Sequence, residues 1–314
     1  MDLKDLKCVV AIAETGSFIR ASEKLNMSQP SVSARVRTLE ENLGLRLFER
    51  ETRGVKITQE GQELLQHAKV ILRQVSEAEA DMVSYRSTPV GLVRVGLPTS
   101  LTAMLAVPLL ERCMHDMPNV KLRLVESMSG YLTQWLRDGT LDLSVTFGSN
   151  PPPDIEVEPL AREDLLLVGR SNEDIEPYLD SDGSIPMARL SEIRLILPGP
   201  EHGLRSLIDT QTRQQAVPIN VAIEIDAFNE IKRLVTKGLG YTIMSSAAYN
   251  DGTQWSLGAA TIRRPTVSRV VNLATLSSRS LPRASKEVAL RIKETVRQKS
   301  QGEDWFASAI ISSP

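Results

Sequence analysis

Two groups of residues in this 314-residue chain have types and spacings that could do chemistry. The first is Ser28-Gln29-Pro30-Ser31-Val32-Ser33, followed by Arg35 and Arg37. A glutamine can meet adenine through two hydrogen bonds, and an arginine can reach guanine or a phosphate. Shortly after, Arg50, Thr52, Arg53 and Lys56 suit phosphate contacts that carry no base information. The second group is spread over the last two-thirds of the chain. Thr99, Ser100, Ser127, Ser129 and Phe147 come from one stretch, and Gly199, His202, Asp226 and Phe228 from another. Hydroxyls and free N–H groups at helix N-termini suit an anion such as a carboxylate. Each group also fits a blander reading. Capped helices with polar faces are common, and Ser and Thr at such positions serve as ordinary caps and loop polars.

Catalysis is not legible. There is no Gly-rich phosphate loop, no GxSxG and no HExxH. His67, His115 and His202 are far apart, and Cys8 and Cys113 lack the spacing of a metal site. No metal and no cofactor is expected. Paired carboxylates such as Glu40-Glu41 read as exposed helix faces. Aromatic residues are 4% of the chain, which disfavours binding of single strands or RNA by base stacking. Hydrophobic residues are 41% and charged residues 24%, as in globular proteins. No apolar run reaches about 18 residues, so no membrane span is expected. The start, MDLKDLKCVV, carries acids where a signal peptide needs a basic flank. With two cysteines, the chain is expected in the reducing cytoplasm. A formal charge of −2 means that any nucleic-acid contact must come from one local surface.

The elements that would carry the first group follow from periodicity. Leu3, Leu6, Val10 and Ala13 form one helical stripe that ends at Gly16. Ser17 caps a second helix through Phe18, Ala21 and Leu25. After a break at Asn26-Met27, Ser28 caps a third, with Pro30 in its first turn and Val32, Val36, Leu39 and Leu43 as its buried stripe. This is a helix-turn-helix pattern, in which the second helix can enter the major groove. Leu45–Arg50 and Val55–Ile57 then read as the two strands of a small wing. Six basic residues face four acidic ones between Gln29 and Ile57, so charge alone does not make the case. From Thr58 to about Ser87 a long helix is expected. Its Gly61, Leu64, Ala68, Ile71, Val75, Ala78 and Met82 alternate steps of three and four, a seam suited to a partner helix.

These residues resemble the LysR-type transcriptional regulators. The resemblance rests on Thr15-Gly16-Ser17-Phe18, Ala21, Leu25, Ser28 to Ser33, Leu39-Glu40, Leu43-Gly44, Leu47 to Arg50 and Thr58 to Gly61. Two positions depart: Ser22 stands where members often carry Ala, and Ala34 where many carry Arg. The stretches Gly91–Leu97, Pro108-Leu109-Leu110, Glu126-Ser127 and Asp142–Gly148 further resemble the nitrogen-assimilation-control branch. The resemblance implies a winged helix-turn-helix on double-stranded DNA and a linker helix that pairs two chains into a homodimer or homotetramer. It also implies an effector domain with a periplasmic-binding-protein-like fold.

Beyond Gly91, strands and helices alternate as in an α/β sheet. Strands are expected over Leu92–Leu97, Val120–Val125, Leu141–Phe147, Leu165–Val168, Leu195–Leu197, Val221–Ile225, Tyr241–Met244 and Val270–Leu276. Two strands end alike, at Leu97-Pro98 and Leu197-Pro198, each followed by a loop and a helix. The expected boundaries are 1–58 for the winged domain, 59–88 for the linker helix and 89–300 for the effector domain. Within the last, lobe I takes 89–160 and 268–300 and lobe II takes 161–267, leaving 301–314 as a frayed polar tail. Ligands of open α/β sheets sit beyond the carboxyl ends of the strands, so the cleft between lobes is the expected pocket. The expected function is a sequence-specific transcriptional activator or repressor tuned by a small effector, with RNA polymerase as a further partner. Two rivals are a two-lobed enzyme or solute-binding protein, and a nucleoid protein that binds DNA through phosphates alone.

Overall fold

The computed structural model describes residues 1–314 apart from 52–53, 85–87, 149, 251–255, 303–304, 306 and 311–314. The chain divides into two compact units, 1–87 and 88–314.

The first unit opens with α1 (Leu3–Thr15), α2 (Phe18–Leu25) and α3 (Gln29–Leu43). Each is stopped and started by the residues the capping rules favour. Asp2 and Asp5 form a capping box on α1, Gly16 closes it at φ 63°, and Asn26 closes α2 at φ 52°. The Ser17 and Ser28 hydroxyls accept from the third residue of the next helix, and Gly44 ends α3 at φ 68°. The core is Cys8, Val9, Ile12, Ala21, Val32, Val36, Leu39 and Leu47. Two stripe positions differ from expectation. Leu3 and Leu43 are 40% and 41% exposed, while Cys8, Val9, Ala11 and Ile12 carry the burial of α1. Because α2, α3 and α4 (Gln59–Ser84) all pack on α1, its covered face is wider than one stripe.

The wing is β1 (Phe48–Glu51) paired antiparallel with β2 (Gly54–Ile57). It starts three residues later than periodicity suggests, and Glu40 explains why. That carboxylate, expected on an exposed face, is only 8% exposed. It accepts from the backbone N–H groups of Leu47 (2.8 Å) and Phe48 (3.2 Å) and from Arg46 Nη1 (3.2 Å). Backbone donors that would begin a strand are thus spent on a side chain of α3. On the other side of the wing, the Thr58 hydroxyl accepts from Gly61 N–H and donates to the Arg46 carbonyl, starting α4. Gly61 is required there by space: a Cβ would run into the Leu47 carbonyl oxygen.

α4 spans 26 residues, about 39 Å at ~1.5 Å per residue. Of its seam, Gly61 and Ala68 are already buried within this chain; Leu64, Ile71 and Val75 are half-buried, and Ala78 and Met82 exposed.

The second unit begins with β3 (Gly91–Pro98), α5 (Thr99–Asp116), β4 (Val120–Ser127), α6 (Ser129–Arg137), β5 (Leu143–Phe147) and β6 (Ile155–Gly169). It continues with α7 (Asn172–Ile175), β7 (Ile185–Pro186), β8 (Arg194–Leu197), α8 (Gly203–Gln214), β9 (Asn220–Glu224), α9 (Phe228–Thr236) and β10 (Thr242–Ser245). Last come α10 (Ser246–Tyr249), β11 (Gly258–Arg263), β12 (Ser268–Leu276), α11 (Arg283–Ser300) and β13 (Ala307–Ala309). One lobe is the sheet β4-β3-β5-β12-β6, with β3 parallel to β4 and β5 and β12 antiparallel to both its neighbours. The other uses the far end of β6, which pairs antiparallel with β10 and β11; β8 and β9 join through a Leu195–Tyr241 bridge to the residue before β10. Each lobe has its own apolar core.

β6 is the long strand that periodicity reads only from Leu165 onward. Its first half pairs with β12, but Glu156, Glu158, Pro159, Arg162, Glu163 and Asp164 disguise it. Pro159 has no N–H to give to a ladder. The β6–β12 register slips there, with Ala161 opposite Val271 and Pro159 opposite Asn272. The two Leu-Pro corners also differ from each other. α5 starts at Thr99 directly after Pro98, with no loop, whereas residues 199–202 separate Pro198 from α8. The expected frayed tail needs the largest correction. α11 runs to Ser300, β13 pairs with β6, and Trp305 is 2% exposed. A single aromatic side chain with a buried acceptor for its N–H outweighs the polar composition around it. Among the described residues no helix is long and apolar enough to cross a membrane.

Trp305→Ala should therefore destabilise the second unit by about 3–5 kcal/mol, read by chemical unfolding. A frayed tail would give no change.

Candidate functional site

Two sites emerge, one in each unit. In the first, α3 buries Val32, Val36 and Leu39 and leaves Ser28, Gln29, Pro30 and Arg37 exposed. Gln29 Nε2 donates to the Ser33 hydroxyl at 2.9 Å, one turn on, so the two side chains act as one polar face. Ser28 is occupied as a cap, and Ser31 and Ser33 are half-buried. Arg35 is placed differently from the expected groove contact. Its Nη1 donates to Asp5 at 2.6 Å and lies 3.3 Å from Asp2, which ties α3 to the start of α1. Its charge is answered inside the domain, so it positions the helix. Arg50 lies on β1 opposite Val55; Thr52 and Arg53 lie outside the described residues. Ser22, the small departure noted in α2, is buried and donates to the Ile19 carbonyl at 2.7 Å. Ala34, the other departure, is exposed.

In the second unit a cavity of about 720 Å³ lies between the lobes. Six of the expected residues line it: Thr99, Ser100, Ser129, Phe147, His202 and Phe228. Three do not. Ser127 ends β4 in register with Pro98. Gly199 N–H donates to the Asp226 carboxylate at 2.9 Å, so these two latch the 199–202 loop instead of facing the cavity.

The floor and wall hold residues the pattern did not single out, chiefly Tyr131, Gln134, Arg162 and Arg269. Arg269 is 6% exposed and is paired with a fully buried carboxylate, Glu163, through Nε at 2.8 Å. Its Nη2 donates to the Ser100 hydroxyl (3.0 Å) and the Ser245 hydroxyl (2.8 Å). The guanidinium carbon sits 3.6 Å from the centre of the Phe147 ring, a cation–π contact. The signal for this residue was present: an arginine directly before the apolar pair Val270-Val271 in a strand of the central sheet points to a buried charge with a partner.

The cavity favours negative charge. Among the described lining residues, Arg162 and Arg269 stand against one acid, Glu201. α5 and α6 both begin at its edge, and neither has a side-chain cap, so their first N–H groups remain open to a ligand. α8 is different, because His202 Nδ1 accepts from Leu204 N–H at 3.1 Å and caps it. A ring nitrogen that accepts is unprotonated, so the cap requires neutral imidazole. The His202 ring stands edge-on to Phe228, with centroids 5.7 Å apart. Among the described residues no cluster of three or more His, Cys, Asp or Glu could hold a metal.

Residues 86–297 match the LysR substrate binding domain, and residues 3–62 match the bacterial regulatory helix-turn-helix protein of the lysR family. The chain belongs to the LysR family. Its relatives include the nitrogen assimilation regulatory protein nac of Klebsiella aerogenes, 31% identical over 79% of each chain. The transcriptional regulator CfxR of Cupriavidus necator is 28% identical over 91% of this chain and 89% of its own. A full-length OxyR point variant from Pseudomonas aeruginosa superposes with a TM-score of 0.73 at 22% identity, over 100% of this chain and 99% of that one. Full-length CbnR, solved with its target DNA, gives 0.67 at 20% identity, over 95% and 99%. As a LysR-family member the protein is a DNA-binding transcriptional regulator with an effector-binding domain, and the family is one of regulators, not enzymes.

In this LysR-type effector domain, burial holds the His202 imidazole below its ordinary value of 6.5, opposed by Asp226 and reinforced by Arg269. The unfolded chain then takes up a proton more readily than the folded one. Stability is full above about pH 6.5 and falls as pH drops toward the folded value. Lowering pH from about 7.5 to about 5.5 should weaken the second unit in urea unfolding. His202→Asn, which keeps a capping acceptor without a titrating ring, should flatten that slope; an unchanged slope would clear His202 of the effect.

Proposed function

We propose that this LysR-family regulator works in the cytoplasm, reading double-stranded DNA with the first turns of α3 and responding to a small organic carboxylate in the inter-lobe cavity. The observation that carries the DNA half is the hydrogen-bonded pair of exposed Gln29 and half-buried Ser33 on α3, on the helix face away from buried Val32, Val36 and Leu39. Gln29 reads a base edge, Ser33 and Pro30 shape the contact, and Arg37, with Arg50, Thr52 and Arg53 as the sequence suggests, takes phosphates. Arg35 holds the angle of α3 through Asp2 and Asp5. Two chains pair along α4, whose Ile71, Val75, Ala78 and Met82 lie on one seam, and two such dimers make a homotetramer able to meet RNA polymerase.

The carboxylate half is supported by two uncapped helix N-termini and two arginines at one cavity, with Tyr131, Phe147 and Phe228 to cover an apolar body. A thiol switch has no support. Burial pushes the Cys113 thiol up to about 11 and raises that of Cys8 as well, and a protonated thiol is a poor nucleophile.

A competition band-shift at fixed salt tests this reading, with the DNA upstream of the protein's own gene as probe. The complex should survive random competitor, with a site preference of roughly 10³–10⁷-fold. Gln29→Ala should cost about 1–3 kcal/mol on that site and little on random DNA. Equal losses on both would remove Gln29 from base reading, and no preference at all would leave only phosphate binding. Adding small carboxylates should shift the affinity or the footprint; neutral amides should not.

A further inference from the structure

At the crossing between lobes the hinge has three strands, not two. β6 carries β12 on one edge, with Ser268 opposite Asp164 and Arg269 opposite Glu163. On its other edge it carries β13, with Ala307 opposite Glu163 and Ala309 opposite Ala161. The C-terminal segment is therefore part of the strand layer at which the chain crosses between the lobes. Glu163 lies where the three strands meet. Its Oε1 accepts from Trp305 Nε1 at 2.9 Å and from Ala247 N–H at 3.1 Å, and its Oε2 accepts from Arg269 Nε at 2.8 Å. One carboxylate thus joins the C-terminal tryptophan to the arginine that lines the cavity. Arg269 has a hand free for a ligand: Nη1 makes no hydrogen bond among the described residues, while Nε and Nη2 are spent within the hinge.

We propose that a ligand carboxylate in the cavity is anchored on Arg269 and that Glu163 passes its presence to Trp305, making the C-terminal segment a ligand-responsive brace on the hinge. This rests on the carboxylate reading of the cavity given above. The sign follows from charge. A ligand carboxylate on Nη1 shares the guanidinium charge, so fully buried Glu163 loses part of its counter-ion. Its remaining donors, Trp305 Nε1 and Ala247 N–H, then carry more of its charge, and charge-assisted hydrogen bonds of this kind are the strong ones. Ligand binding therefore tightens the seat of Trp305 and the pairing of β13. Linkage makes the effect reciprocal: a seated Trp305 partly satisfies Glu163 and leaves Arg269 freer to hold the ligand. The segment around Trp305 and β13 becomes a point at which contact with a neighbour sets effector affinity.

The test uses the full-length protein with benzoate as the charged probe and benzamide as its neutral match. Hydrogen exchange of the wild type should show the backbone amides of Ala307 and Ile310, which donate to the Trp305 and Leu160 carbonyls, slowed by benzoate and unmoved by benzamide. In calorimetry, Trp305→Phe, which keeps the ring and deletes the N–H, should weaken benzoate binding by about fivefold or more. Arg269→Gln should abolish the preference for benzoate over benzamide. Circular dichroism and a melting curve establish that the variants fold, and the exchange measurement needs no variant. Benzoate binding with unchanged exchange at Ala307 and Ile310 and unchanged affinity in Trp305→Phe would overturn the brace and leave the carboxylate cavity standing. No binding of benzoate, acetate or succinate would overturn the anchor on Arg269 and the brace with it. Specific DNA binding in the band-shift would survive either result.

Discussion

A buried arginine and a buried glutamate hold the effector unit at its crossing point. Removing two charges from water costs several kcal/mol each, and close pairing returns that only when the remaining hydrogen-bonding capacity is also met. Glu163 meets it with three donors from three different elements, and Arg269 with two serine hydroxyls and an aromatic face. Ser100 belongs to the first lobe, Ser245 to the second, and Trp305 to the end of the chain. The pair is thus satisfied by groups from both lobes and the C-terminal segment in this arrangement. Separating these partners would cost the hydrogen bonds that compensate two buried charges. The same demand shapes the cavity, because it places a guanidinium at its floor beside the open N-termini of α5 and α6.

The DNA-binding unit uses the same device at smaller scale. Glu40 reaches from α3 to the backbone at the start of the wing, and Arg35 reaches from α3 to the capping acids of α1. α3, the wing and α1 are locked together by side chains of the domain itself. The face left over, Gln29 with Ser33, is small and rigid. In the proposed base-reading role such a fixed geometry matters, since a misdirected side chain loses both hydrogen bonds at once.

Much of this was legible in the residues. Caps at Ser17 and Ser28, stops at Gly16 and Gly44, and the alternation of strand and helix beyond Gly91 mark the elements, because each depends on local backbone chemistry. Six of nine expected cavity residues line the cavity, because a strand's carboxyl end followed by a helix start is also a local signal. What stayed hidden depends on distant partners. β6 does not read as one strand, since its acids and Pro159 are tolerated only by the particular edges of β12 and β13. Glu40 reads as a surface acid until the wing folds back on it. Trp305 sits in a polar tail, and its burial is explained only by distant partners: the apolar core it joins and the Glu163 carboxylate, 142 positions earlier, that accepts from its N–H. Asp226 reads as a cavity residue because its spacing shows a loop position but not that Gly199 N–H claims it.

The direct measurement is a double-mutant cycle on the unfolding of the effector unit with Arg269→Met and Glu163→Gln. Arg269→Met alone strands a buried carboxylate and should cost about 3–5 kcal/mol. Adding Glu163→Gln, which keeps an acceptor for Trp305 and Ala247 but removes the charge, should restore part of that loss, giving a coupling of about 1–3 kcal/mol. Two substitutions that add to within about 0.5 kcal/mol would show that the residues act independently and that the crossing point is held by something else.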